Sequence, residues 1–417
     1  MTTDGYARRP DCRLCGSQAL QLDLPLKDLP IGDRYVPPGQ NEVNAAAYPL
    51  EVMLCPVCGQ YQNGVYVDPA LIYPFYLSRP ATTNSTLSDA YREYADYLLD
   101  NFKPDREPFS VETGSNDGAF SRYMKEKGAR ILCIEPAPNL VEQANKSGIP
   151  TLPAYFTEDL AKKIKADHGP ADYIIGNHMF ANVNDLADFA KGVRHLLAGT
   201  GVFSMQTFYY VDVLGKNLLE NYTHEHLSYF YVKPLCGFFQ RFGLELFDVK
   251  RVPAKAGSIR CFIQHQGASR KITPAVRELT DLEDKLGLGK PGAHGPIRSF
   301  IEESKSRLHA LLKPQVSAGK TVAGFGTSTG ATTFMYNFEM GDLVKFFVDD
   351  DTYRHNLISP GFHIPVFPAR AIHERRPDYV VVMAPLYADN IINKNKAYIE
   401  NGGTFVKFWP KFELVSA

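Results

Sequence analysis

The sequence predicts an α/β protein built on a doubly wound parallel sheet, with a metal-stapled segment before it and a smaller α/β unit after it. Three observations carry that prediction. Apolar strand-like runs alternate with helical ones from about residue 109 to 208, and the alternation restarts near residue 320. Four cysteines are gathered into two C-x-x-C pairs ahead of both series. At 417 residues the chain is also too long for one hydrophobic core.

Residues 1–80 are rich in proline and turns ("PLKDLPIGDRYVPPG") and depend on a metal for their core. "CRLC" holds Cys12 and Cys15, and "CPVC" holds Cys55 and Cys58. Two such knuckles, roughly 40 residues apart, suit a four-thiolate zinc site. Gly16 and Gly59, which follow them, suit the left-handed turn that points both sulfurs at one ion. A disulfide pair or free thiols are the alternatives. A closed four-cysteine site leaves no open coordination position, so the zinc would be structural. Cys133, Cys236 and Cys261 stand singly in apolar stretches and read as buried packing residues.

"TLSDAYREYADYLL", Thr86 to Leu99, has helical spacing of Leu87, Tyr91, Tyr94 and Leu98. Strand, helix and turn then alternate: "FSVETG", "AFSRYMKEKG", "RILCIEP", "LVEQANKSG", "ADYIIGN", "DLADFAKGVRHLL", "GVFSMQT". "LELFDVKRV" and "SIRCFIQHQ" form a final strand pair, and residues 270–315 are helical and charged. In the last part "KTVAGFG", "VKFFVDD", "DYVVVMAP" and "TFVKFWP" are strands. The expected division is 1–80 for zinc, 81–268 for the main α/β domain, 269–315 for a helical linker and 316–417 for the second α/β domain.

Composition excludes several classes. With 44% hydrophobic residues, 22% charged residues and a net charge of −1, the chain has no basic surface suited to nucleic acid or an anionic membrane. No run resembles a signal peptide or a bilayer span, so a cytoplasmic location is expected. A small-molecule acceptor and a monomer or homodimer complete the expectation.

"ETGSNDGAF" lies at the carboxyl end of the first strand, where doubly wound sheets bind ligands. A dinucleotide turn wants G-x-G-x-x-G, and Asn116 occupies the middle glycine's place. A ligand without phosphate tolerates this, and S-adenosylmethionine is such a ligand. Glu112, Gly114, Asn116, Asp117 and Gly118 would form the turn, with Gly118 allowing close helix packing. Glu135, followed by Pro136, ends the second strand and is placed to accept both ribose hydroxyls. Tyr155 and Phe156 are expected on the adenine face, and Asn177 and His178 past the strand "YIIGN".

The paired knuckles, "ETGSNDG", "HEHLSYF" and the tail "SPGFHIPV" together resemble the nucleotide-sugar C-methyltransferases, across nearly the whole chain and in the same order. The resemblance implies a zinc-binding N-terminal domain, a class I methyltransferase Rossmann-like domain and a smaller Rossmann-like C-terminal domain. It also implies carbon methylation beside a ketone of a keto-deoxysugar nucleotide or related small molecule, through a base-generated enolate. Histidine suits such a base because its pKa lies near neutrality. The resemblance places the base at His226, with Glu225 in support and His224 beside them. The family has tyrosine directly before its H-E-H; here that residue is Thr223, with Tyr222 one place earlier as the acid/base partner and Tyr76 as a further pocket residue.

"GFGTSTG", Gly324 to Gly330, with Asp349 some 20 residues on, resembles a dinucleotide fingerprint. It suggests an NAD(P)-dependent oxidoreductase as an alternative, although four strands are too few for a full six-stranded nicotinamide fold. The preferred reading is that Gly326, Thr327, Ser328 and Thr329, at a helix start, hold the acceptor's diphosphate. Oxygen- or nitrogen-directed methylation is the remaining alternative, since it needs only proximity and a modest base.

Overall fold

The computed structural model describes residues 5–40, 45–73 and 85–417. Its central sheet has seven strands: β1 (Phe109–Thr113), β2 (Arg130–Ile134), β3 (Thr151–Leu152), β4 (Ala171–Asn177), β5 (Leu197–Phe208), β6 (Leu244–Val252) and β7 (Ser258–His265). They lie in the order β3-β2-β1-β4-β5-β7-β6. The first five run parallel, and β7 is antiparallel to both neighbours, with Phe203 opposite Ile263. β1 and β4 are buried along their whole length, as strands covered on both faces must be. On one face Ile174 packs with Phe189 and Val193; on the other Tyr173 and Ile175 pack with Tyr94 and Phe120. The order reverses between β1 and β4, so the crevice beyond their carboxyl ends is the expected ligand position.

Gly118 heads the helix Ala119–Glu126 at φ 75°, and a Cβ there would come within 2.6 Å of Ile149. The anticipated close packing at that glycine is therefore real. Cys133 and Cys261 are buried, while Cys236 is only partly so.

The N-terminal part is not a free-standing unit. Its four-stranded antiparallel sheet joins Gln21–Pro25, Glu51–Leu54 and Tyr61–Asn63 to Ser228–Tyr229, which belongs to the chain segment after β5. Tyr229 pairs with Tyr61 and Ser228 with Gln62. The stretch "HEHLSYF" is thus pulled into place by a strand exchange across sequence-distant parts.

The last part carries six strands: β8 (Val322–Phe325), β9 (Phe346–Asp349), β10 (Val366–Pro368), β11 (Tyr379–Val382), β12 (Thr404–Lys407) and β13 (Glu413–Val415). Their order is β10-β9-β8-β11-β12-β13, with β13 antiparallel. Four strands were expected. The two extra ones have three residues each, and β10 ends in proline, so neither carries a readable period-2 pattern.

Helices Pro274–Lys285 and Gly295–Ser317 connect the two sheets. Glu283, fully buried, accepts from Tyr209 Oη at 2.9 Å, Val232 N at 2.7 Å and Lys233 N at 2.9 Å. Buried carboxylates persist only with such partners, so this charged helix is bonded into the core rather than spanning solvent. Among the described residues, no helix is long and apolar enough to cross a membrane.

Candidate active site

The four predicted thiolates converge. Sγ atoms of Cys12, Cys15, Cys55 and Cys58 all lie within 4.8 Å of one another, with Cys12–Cys58 at 3.6 Å and Cys15–Cys55 at 3.5 Å. A tetrahedral site with Zn–S bonds of about 2.3 Å needs sulfurs separated by about 3.8 Å, so the residues fit the ion. Gly16 at φ 77° and Gly59 at φ 83° supply the left-handed turns, and each N–H closes on the carbonyl of the first cysteine of its knuckle at 2.8 Å. This centre is structural: its four ligands are all protein.

A cavity of about 430 Å³ opens at the switch point of the central sheet. On the cofactor side, Glu112, Gly114, Asn116, Glu135, Pro136, Tyr155, Phe156, Asn177 and His178 all line it. Asp117 and Gly118 do not; they set the turn and head the helix behind it. Gly114 sits at φ 62°, and a Cβ there would meet Met179 at 2.7 Å, so the turn tolerates no side chain. Glu135 accepts from Asn116 N at 2.9 Å and Ala137 N at 3.0 Å, which holds its carboxylate at the cavity wall despite burial that pushes its pKa up. Glu112 is buried to 2% exposure, where Ser121 N and Oγ reach one oxygen at 3.1 and 2.6 Å.

These residues fit S-adenosylmethionine on their own chemistry. The cavity is within the size range of small-molecule sites. Buried Asn177 Oδ1, on the cavity wall, has no partner among the described residues, as a group reserved for a polar ligand does. His178 Nε2 meets Gln206 Nε2 at 3.0 Å, while Gln206 Oε1 accepts from Arg260 at 3.0 Å. The amide therefore donates to the imidazole, which burial keeps neutral by lowering its pKa.

The stretch "THEHL" is divided by the fold. His224 and Glu225 line the cavity; His226 and Tyr222 do not. Burial, reinforced by Asp33 and opposed by Lys255 and Arg354, pushes the Glu225 carboxyl up to about 8. His224 gives Nε2 to Tyr48 O at 3.2 Å, and burial lowers its pKa to about 4. His226 sits behind the Phe208 ring, centroids 5.0 Å apart, with Nδ1 on Asn221 O at 2.7 Å. Burial lowers it to about 4 as well. The expectation that His226 faces the cofactor pocket is therefore corrected: it does not line the cavity, and its ring packs on Phe208, which packs in turn on the cavity-lining His178. Tyr222 is fully buried, its hydroxyl 3.2 Å from that of Tyr210, which bonds His294, which in turn bonds Asp23. It closes a buried network and reaches no substrate space. Tyr76 lies outside the described residues.

The second glycine turn is built differently. Thr327 is buried and gives both its N–H, at 2.6 Å, and its hydroxyl to Asp349. One oxygen of that acidic residue thus braces its own turn. Gly330 lies against Glu220, and a Cβ on Gly32 would come within 2.6 Å of Thr329 O. Gly326, Thr327, Ser328 and Thr329 do not line the main cavity; Ser328 alone of the four is exposed. Six strands remove the size objection to a nicotinamide fold, but this turn packs against Glu220 and lines no part of the main cavity.

Sequence reasoning missed Lys255, Tyr66, Tyr73 and Met179 on the cavity wall. Lys255 belongs to a two-residue left-handed turn, and Tyr66 and Tyr73 come from the N-terminal part. No local pattern marks residues that enter a site from other domains.

Three family models match in succession: "Putative zinc binding domain" over residues 12–73, "Methyltransferase domain" over 87–249 and "C-methyltransferase C-terminal domain" over 253–410. The chain is similar to the C-methyltransferase NovU of Streptomyces niveus, 28% identical over 408 residues, covering 98% of this chain and 97% of that one. Solved structures similar to it include the CcbJ methyltransferase from Streptomyces caelestis (13% identity, TM-score 0.34, 42% of this chain and 90% of that one). Another is a SAM-dependent methyltransferase from Anabaena variabilis (16% identity, TM-score 0.32, 44% and 96%). With the cysteine cluster, the glycine turn and the three matched domains in one order, the chain is an S-adenosylmethionine-dependent methyltransferase, similar over its length to a C-methyltransferase with a zinc-binding domain before the methyltransferase domain and a C-terminal domain after it.

Proposed function

We propose that the acceptor is a keto-deoxysugar nucleotide or a related small ketone, methylated on the carbon beside its carbonyl after base-assisted enolate formation. One observation carries the reading: a carboxyl group, Glu225, lines the same cavity as the cofactor carboxylate Glu135 and is held near a pKa of 8. Removing a proton alpha to a ketone needs a base poised close to working pH, and a buried carboxylate of that basicity meets the need. When bound, S-adenosylmethionine supplies an electrophilic methyl group. Glu135, Asn116 and Asn177 would hold it; Glu225 takes the acceptor's proton; Tyr66, Val67 and Tyr73 from the N-terminal part screen the site from water.

His226 becomes a positioning residue, its ring packed on Phe208, which in turn packs on the cavity-lining His178. The nucleotide end of the acceptor is supported by the sequence resemblance, and exposed Ser328, N-cap of the helix Thr329–Asn337, is the group of the second turn left to meet a diphosphate. Glu225→Gln is expected to keep S-adenosylhomocysteine affinity while lowering turnover and acceptor-proton exchange about 10²–10⁴-fold. His226→Ala should cost far less. If His226→Ala abolishes exchange while Glu225→Gln spares it, the base is the histidine and this reading fails.

A further inference from the structure

Between β6 and β7 the chain makes an unusual turn. Lys255 and Ala256 adopt consecutive left-handed conformations, φ 50° and 67°, without the glycine that such backbone favours. The surroundings hold them there. Ser258 Oγ donates to Ala254 O at 2.8 Å, Lys216 Nζ to Ala256 O at 2.6 Å and Tyr209 N to Gly257 O at 3.2 Å. Gly257, at φ 140°, lies so close to Asp212 that a Cβ would approach it to 2.5 Å, and Asp212 is itself paired with Arg251 at 2.9 Å. A turn this over-determined is strain kept for a purpose.

The purpose is visible in where the side chain goes. Lys255 lines the cavity and is exposed within it, its Nζ 5.4 Å from the centre of the Phe208 ring. Among the described lining residues it carries the one positive side chain, against Glu112, Glu135, Asp185, Asp188 and Glu225. Its charge acts on Glu225 and His178, which share the cavity wall with it, and on His226 beyond that wall. Desolvation at the cavity wall lowers its pKa to about 8, with Glu225 opposing the fall.

We propose that Lys255 is a catalytic residue: its ammonium group meets the negative charge that develops on the acceptor's carbonyl oxygen. The inference rests on the enolate reading above. The α C–H bond breaks, its proton passes to the Glu225 carboxylate, and the electron pair moves onto the carbonyl oxygen beside Lys255. A base for the α-proton and a cation for the developing oxyanion, in one cavity, are what enolate chemistry requires.

Two arms test it on full-length, zinc-loaded protein. The first needs no acceptor. Lysine acetylation by acetic anhydride is followed by peptide mass spectrometry against pH in wild type and Glu225→Gln, both saturated with S-adenosylhomocysteine. Lys255 is expected to titrate near pH 8 in wild type and lower in the variant, against about 10.4 for ordinary lysines. A Lys255 that titrates with the surface lysines and ignores Glu225→Gln overturns the proposal. The second arm uses thymidine-diphosphate 4-keto-6-deoxyglucose, reading methyl transfer and deuterium uptake at the acceptor carbon. Lys255→Met should lose about 100-fold in kcat with KM and S-adenosylhomocysteine Kd within about threefold. Lys255→Arg should recover about tenfold of this and shift the alkaline limb of the rate profile upward, because guanidinium stays charged. If Lys255→Met retains full kcat on this substrate, the role is refuted. If wild type neither exchanges nor methylates the sugar, the acceptor reading fails, and the acetylation arm alone decides Lys255.

Discussion

The two glycine turns share a grammar and part company in space. Each follows the first strand of an α/β sheet, and each is bonded by an acidic residue from the end of the next strand. Glu135 takes one N–H from Asn116 in the first; Asp349 takes the N–H and hydroxyl of Thr327 in the second. The first turn opens on a cavity of about 430 Å³. The second is a joint. Thr332 Oγ1 donates to Gly32 O at 3.1 Å, Thr333 Oγ1 to Tyr222 O at 2.9 Å, and Arg354 pairs with Asp33. The helix behind that turn therefore ties all three parts together. A glycine-rich turn is a surface that backbone can approach closely; whether a ligand or another piece of the same chain does so is decided elsewhere in the fold.

Substitutions can break this contrast, beginning with the largest effect. Glu135→Ala is expected to raise the S-adenosylhomocysteine Kd about 10- to 100-fold by titration calorimetry, since a hydrogen bond to a charged group contributes about 1.5–3 kcal/mol. An unchanged Kd would make the first turn as closed as the second. Next comes Gly330→Val, whose side chain must displace the Glu220 backbone. Overpacking of this kind costs about 1–3 kcal/mol, read as a lower Tm with cofactor affinity intact. A variant of undiminished Tm would show that the joint has room for a ligand. The smallest effect is expected from Asp349→Asn, which weakens the bonds to Thr327 by about 1 kcal/mol and leaves S-adenosylhomocysteine binding alone. A nicotinamide dinucleotide that binds wild type and is lost in this variant would reverse the assignment of the second turn.

Glu220 marks the same boundary from the other side. Both its carboxyl oxygens are buried without a partner among the described residues, and burial pushes its pKa up to about 7. Such a group tolerates the joint mainly in its neutral form. Near Gly330 the second turn thus packs on the residue that bears this carboxyl, whereas the first shares its cavity with a lysine.

What the sequence determined by itself were features whose physics is local. The C-x-x-C spacing and the glycines after each knuckle define a thiolate turn in a handful of residues. Strand–helix alternation sets a parallel sheet, because apolar period and chain length act within each element. Gly114, Asn116 and Glu135 were legible because a βα turn and the end of the next strand are neighbours by topology. The tertiary structure alone decided which side chains share a void. Glu225 faces it and His226, one residue on, packs on Phe208 away from it, in a turn that leads into Ser228–Tyr229, a strand paired with the N-terminal sheet. Tyr222 was drawn into a hydrogen-bonded chain with Tyr210 and His294, partners 12 and 72 residues away respectively from it. Lys255 reached the cavity only through a left-handed turn that Asp212 and Lys216 enforce. Periodicity records which face of an element is buried; it carries no record of what lies opposite, and catalysis depends on what lies opposite.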